Sequence, residues 1–453
     1  MSARRLLPLA LAGVVPAAAP ATAQAHGLGG VAGTPVPGFV FAWAAAIVLV
    51  ASFAALGKLW PAPRLEQGPR ERRHPAAGLQ PLWGALGLAL FAFVVACGLA
   101  GAQSPTGNIL PAVVYAAFWV GLVLVSLLFG DVFAALSPWR AVARAARWAG
   151  LRLAPRRLGA PLPYPARWGR WPAALSILAF AWVELAYSGR DAPRTLALLA
   201  LAYAAVQLLG IALFGEEAWS ARGDGFGVYF GLFGRIALLR GRPLLSGAAV
   251  LEPAPGTAAL LCVMIGSTSF DGLSGTTPWR SLLPHLGGLG SLEAVDSLGI
   301  AAMIAVIAVV YTVGVAGMAP LARGRSRGEL AAAFAHTLIP IAAAYVLAHY
   351  ATFLLDEAQA LVGLASDPLG HGADWFGTAG TTIHPNVLGR TGTWLLQVGA
   401  LVLGHVGGLA LAHDRALVLF PDARLARRSQ QWMLTVMVGY TGLGLWLLSS
   451  LAR

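Results

Sequence analysis

The sequence predicts an all-α fold, a polytopic transmembrane helical bundle of about ten spans after a cleaved signal peptide. Hydrophobic residues make up 58% of the 453-residue chain and charged residues only 11%, and the mean hydropathy is +0.71. A soluble domain of this size does not show that balance. Ten apolar runs are each about long enough to cross ~30 Å of hydrocarbon. Basic residues gather between alternate runs, as the positive-inside rule requires of a membrane protein.

The elements follow in order. Residues 1–25 have Arg4 and Arg5, an apolar stretch interrupted by Pro8, Pro16 and Pro20, and then Ala23-Gln24-Ala25, the small-x-small form of a secretory cleavage site. Cleavage there makes His26 the first residue of the mature chain, outside the cytoplasm. The spans are expected at 39–60, 82–102, 111–136, 171–190, 195–214, 255–273, 297–322, 330–354, 393–419 and 431–451. The stretches assigned to the cytoplasm hold 24 Lys and Arg, against 5 in the external ones. Both mature termini are therefore expected outside. The net charge of +12 is a topology signal and not a nucleic-acid footprint. Thirty arginines against the single Lys58, with heavy alanine use, suggest a GC-rich genome and a bacterial cytoplasmic membrane.

Between the spans, Arg140, Arg144 and Arg147 recur at helical spacing near Trp139 and Trp148, which reads either as a helix on anionic headgroups or as a solvated basic segment. Gly223-Asp224-Gly225-Phe226-Gly227 follows a membrane helix and no strand, so it reads as a turn into an interfacial or re-entrant segment, not a phosphate loop. Cys97 and Cys262 fall in different spans at different depths, which argues against a disulfide. The external stretch 355–392 lacks a strong helix or strand pattern and reads as a lid or binding loop.

Ionisable groups at membrane depth are rare and mark functional sites. Two neighbouring spans carry His336, His349, His405 and His413. Counting residues from the span edges puts His336 and His413 at a shared inner level, His405 near mid-membrane and His349 near the outer end. Glu184 lies at nearly the depth of His349, Asp271 closes the outer end of the sixth span, and Asp356 follows His349 by seven residues on the same helix face, so the four are expected to converge on a pocket open to the outside. Carboxylates with imidazoles suit a divalent metal, zinc or copper, or a general base acting on water. His26 offers an amine and an imidazole to one metal, and His405 is a further ligand candidate. A buried neutral histidine that only fixes packing is the bland alternative for each.

The stretches His26-Gly27, Pro35-x-Pro37, Phe41-Ala42-Trp43, Leu59-Trp60-Pro61, Phe129-Gly130-Asp131-Val132, Pro138-Trp139-Arg140, Arg222 through Phe226 and Phe270-Asp271-Gly272 form a pattern across the mature chain. In the last third, His336-Thr337-Leu338-Ile339-Pro340, Ala348-His349-Tyr350, Gly404-His405 and His413-Asp414-Arg415 continue it. This pattern resembles the bacterial multi-pass family labelled fenitrothion hydrolase. The resemblance implies a membrane enzyme that hydrolyses an organophosphate triester at its P–O aryl bond.

Two expectations stand together. One is a metal-assisted hydrolase of apolar esters with an outward-facing site, using Asp271, Glu184 and His349 as catalytic groups and His26, His349 and His405 as metal ligands. The other is a transporter or copper/zinc-handling protein using the intramembrane histidines. The expected partners are the lipid bilayer and an apolar small molecule.

Overall fold

The computed structural model describes residues 38–66, 79–153, 161–239, 243–286, 288, 290–322, 324–420 and 422–451. Residues 1–25, expected to be a signal peptide, and His26 lie outside the described residues. Among the described residues the chain is helical with no strand, as expected where every backbone polar group in lipid must be satisfied within its own segment.

Seven helical segments are long and apolar enough to cross a membrane: Gln80–Ala100, Ile109–Phe129, Pro193–Phe214, Thr257–Ser274, Leu292–Leu321, Arg327–Ser366 and Gly389–Leu419. The first, fourth and tenth expected spans are also helical, at Gly38–Leu59, Trp171–Leu185 and Ala423–Leu451. At 15 residues the Trp171–Leu185 helix is about 22 Å long, shorter than the hydrocarbon core. Its chain breaks at Ala186, where the Tyr187 ring folds back to stack on Trp182, 5.6 Å away. Glu184 therefore sits in the final turn of a helix, not six residues inside a longer one.

The Leu338–Ser366 helix departs from expectation in the opposite sense, continuing twelve residues past the expected edge at 354. The run Leu355-Asp-Glu-Ala-Gln-Ala-Leu is rich in strong helix formers, which extends the rod once it has neighbours. The expected external loop accordingly shrinks to 367–388. Asp356 and Glu357 become helical, and Asp356 accepts a backbone N–H from Asn386 instead of joining the buried acids.

Two helices form the centre of the bundle. In Thr257–Ser274 and Arg327–Ser366, 72% and 67% of the apolar window is buried inside the protein, against 28 to 39% in the other five spans. The Leu338–Ser366 helix packs along Gly389–Leu419, and Thr257–Ser274 against Leu292–Ala316 and Trp171–Leu185. Gly404 permits the first of these contacts, since a Cβ there would lie 2.3 Å from the Ala344 Cβ and 2.6 Å from the Pro340 carbonyl oxygen. Small residues at such a crossing let backbones approach.

The segment Gly225–Gly234 is a short buried helix, too short to cross the bilayer. Asp224 caps it, accepting from the Gly227 N–H at 3.0 Å, the Tyr203 hydroxyl at 2.8 Å and the Trp139 indole at 2.7 Å. Nearby, the Pro138–Leu153 helix turns Arg140 and Arg144 inward, and both pair with Glu216. Farther along the same helix, Arg147 and Trp148 are exposed.

Candidate functional site

Three central elements meet at a buried polar cluster. Asp271 lies near the end of Thr257–Ser274, His349 and Tyr350 lie on Leu338–Ser366, and Glu184 ends Trp171–Leu185. His349 Nε2 is 2.9 Å from Asp271 Oδ2, with both side chains buried. The Tyr350 hydroxyl hydrogen-bonds to both Asp271 and Glu184. Phenol and imidazole come from successive residues, and their rings meet edge to face with centroids 4.6 Å apart.

The helix opposite, Ile109–Phe129, runs as a π-helix through Val113–Gly121. Such wide turns are rare and recur at functional sites. This one carries Trp119, whose indole is directed at Glu184. Tyr229, from the short buried helix, stacks on Trp119 at 4.6 Å and 14°. Its hydroxyl is buried near the same carboxyl and has no hydrogen-bond partner. Buried polar atoms are normally paired, so this hydroxyl is a donor left open beside the cluster.

Glu184, Asp271 and His349 thus come together as the depth count expects. Comparison of the chain with family models, curated proteins and solved structures finds no match. The chemistry must be read from the cluster itself. With Nε2 committed to Asp271, the other ring nitrogen, Nδ1, lies on the side where Gly272 has no side chain; a Cβ there would be 3.6 Å from that nitrogen. Among the described residues no three His, Cys, Asp or Glu side chains stand at metal-holding spacing.

His405 sits apart from the pair. Its Nδ1 is 2.7 Å from the Leu401 carbonyl, which fixes that nitrogen as the protonated one. Its Nε2 is buried and unpartnered, and its ring lies 6.3 Å from Tyr345 and 6.4 Å from Tyr440. Those two phenols hydrogen-bond each other, and the Tyr440 hydroxyl is 3.3 Å from Ser269 Oγ. Tyr345 is one helical turn before His349, so a second polar group lies one turn deeper than the first.

The inner histidines do not form a pair. His413 Nε2 bonds the Trp60 carbonyl at 3.0 Å and its Nδ1 approaches Gln430. His336 is buried with its Nε2 unpartnered. The same region of Gly389–Leu419 straps down residues 60–66. Asp414 accepts from the Trp60 indole, the Arg64 N–H and the Leu65 N–H, and Arg415 pairs with Glu66 at 2.9 Å. The His413-Asp414-Arg415 motif is a structural clasp.

Sequence reasoning missed Tyr350, Trp119 and Tyr229. For Tyr350 a signal existed, since it adjoins His349 and shares its buried level. Nothing in the local sequence marks Trp119, which depends on the π-helical turn.

Proposed function

We propose that the chain is an integral membrane hydrolase of apolar organophosphate-type esters, in which Asp271 and His349 activate water and Glu184 protonates the leaving group. The observation that supports this best is the 2.9 Å bond between His349 Nε2 and Asp271 Oδ2. An acid that accepts the Nε2–H holds the ring in the tautomer whose Nδ1 carries a lone pair, the logic of an oriented general base.

In the proposed step water attacks phosphorus as Nδ1 takes its proton, the P–O aryl bond breaks, and the departing aryloxide takes the proton of Glu184. A water then carries the Nδ1 proton of His349 back to Glu184, while the Nε2–H stays on the ring, hydrogen-bonded to Asp271. One water is consumed, and a phosphodiester acid and a phenol are released. The arrangement fits one shared proton, because Tyr350 has a single hydrogen to give and touches two carboxyls. The unpaired Tyr229 hydroxyl suits the phosphoryl oxygen as its charge grows. A zinc or copper ion on Nδ1 would supply hydroxide at the same point. An apolar triester partitions into the bilayer and meets the bundle there.

The test is turnover of a chromogenic aryl phosphotriester by the protein in lipid nanodiscs, with metal content measured on the same sample. Asp271→Ala and His349→Ala should lose hydrolysis while eluting as folded, monodisperse protein. Undiminished turnover in both would sink the proposal.

One observation favours a second reading, transport. The polar line Ser269, Tyr440, Tyr345 and His405 continues the cluster toward mid-membrane. Proton or metal uptake into proteoliposomes that is lost in His405→Gln, without any phosphotriester turnover in the wild type, would replace the hydrolase with a transporter.

A further inference from the structure

The 367–388 loop is tied to the rim of the bundle, not left free. Leu369 and Pro368 accept backbone N–H groups from Ala102 and Ile109 at 2.7 and 3.2 Å. Ala102 follows the end of one spanning helix, and Ile109 begins the next. Gly370, at φ +68, lies so close to Gly107 that a Cβ would be 2.3 Å from its carbonyl oxygen. The base of the loop therefore stands where two spanning helices leave the hydrocarbon, at the membrane–water boundary.

From this base the loop presents an aromatic tip. Trp375 and Phe376 are 57% and 70% exposed, although their backbone is fixed, with the Trp375 N–H on the Ser366 carbonyl and the Phe376 and Thr378 N–H groups on the Ser366 hydroxyl. Asp374 closes the turn by accepting from Ala379. Two adjacent large aromatic side chains held outward by a satisfied backbone are not a collapsed loop. Val387 and Leu388, also exposed, lead into the next spanning helix.

We propose that Trp375 and Phe376 insert into the bilayer interface, anchoring the 367–388 loop to lipid at the rim that its base already marks. Aromatic rings favour the headgroup level, where an apolar face and a polar edge are both served. The occupant of this apolar tip is thus phospholipid, and the inference stands whether or not the buried cluster hydrolyses esters.

The native cysteines, Cys97 and Cys262, are both buried, so single exposed cysteines can be labelled selectively. Trp375→Cys, Phe376→Cys and, as a control on the exposed polar part of the loop, His371→Cys are each labelled with an environment-sensitive fluorophore in phosphatidylcholine nanodiscs. At positions 375 and 376 the emission should shift to the blue, lose most of its intensity to nitroxide-bearing lipid and little to aqueous iodide. His371→Cys should show the reverse. Equal iodide quenching at all three positions would overturn the proposal, and so would protection from both quenchers at 375 and 376, which would mean cover by protein or a second copy. Using two tip positions keeps the test decisive if one variant misfolds.

Discussion

Asp271→Asn is the sharpest perturbation of the buried cluster, because it changes the charge and hydrogen-bonding character of one group at constant shape. If the asparagine oxygen faces His349, the 2.9 Å contact survives without the negative charge that stabilises an imidazolium. If its amide faces the ring, it donates to Nε2 and drives the ring proton onto Nδ1, removing the base. Both outcomes weaken the step at which water loses its proton. General-base catalysis contributes about 10² to 10⁴ in rate, and the pair is largely shielded from water, where a lost charge is poorly replaced. A fall of about 10³ in kcat is expected, or about 4 kcal/mol in the barrier. Tyr350→Phe leaves the Asp271–His349 bond in place and removes only the bridge to Glu184, so it should cost about tenfold, one hydrogen bond's worth. The assay is initial-rate hydrolysis of an aryl phosphotriester per folded protein, with folding checked by thermal transition and elution volume. Folded Asp271→Asn turning over within about threefold of wild type would refute the base assignment.

Three further outcomes concern the frame that holds the site. Asp414→Ala removes the acceptor of three donors and should destabilise the protein by about 3 kcal/mol in thermal or denaturant unfolding, with Asp414→Asn milder because one oxygen remains. Gly404→Ala forces the Pro340 turn and the Gly389–Leu419 helix apart and should cost about 1–3 kcal/mol, whereas Gly399→Ala, with open space around it, should be neutral or slightly stabilising by the same assay. At Glu216, burial pushes the carboxyl up, but the hydrogen bonds from Arg144 and Arg140 outweigh it and hold the pKa below its ordinary value of 4.5. The stabilisation is therefore complete above 4.5 and is lost as the pH falls through the lowered value, so Glu216→Gln should flatten the acid limb of the unfolding midpoint against pH.

Counting from the expected span ends groups Glu184, Asp271 and His349 toward the outer side, and the structure brings the three together. The ends themselves were not legible. The Trp171–Leu185 helix stops early where Tyr187 turns back onto Trp182, and the Leu338–Ser366 helix runs past its expected edge through strong helix formers to Ser366, which anchors the following loop. The shared level of His336 and His413 was also legible, yet they do not meet. The space beside His413 is taken by the Trp60 carbonyl, supplied from 353 residues away, and no local pattern announces so distant a partner. The π-helical turn that brings Trp119 to Glu184 is equally silent in sequence, since its residues Val113 to Gly121 would suit an ordinary helix.

Among the described residues, the buried acids separate into two kinds by how fully they are served. Asp414 takes three hydrogen bonds and Asp224 takes three, all from neighbours that need fixing in place: a strap in one case, a helix start in the other. Each is saturated, and each is explained by the structure it holds. Glu184 is different. It shares the Tyr350 phenol with Asp271 and has the Trp119 indole directed at it, while the nearby Tyr229 hydroxyl is buried without a partner. A carboxyl kept for packing alone would gain from closing that donor onto itself, as Asp224 closes Trp139 and Tyr203. That open donor separates the cluster from the two saturated acids, and it is where the proposed hydrolysis would hold a phosphoryl oxygen.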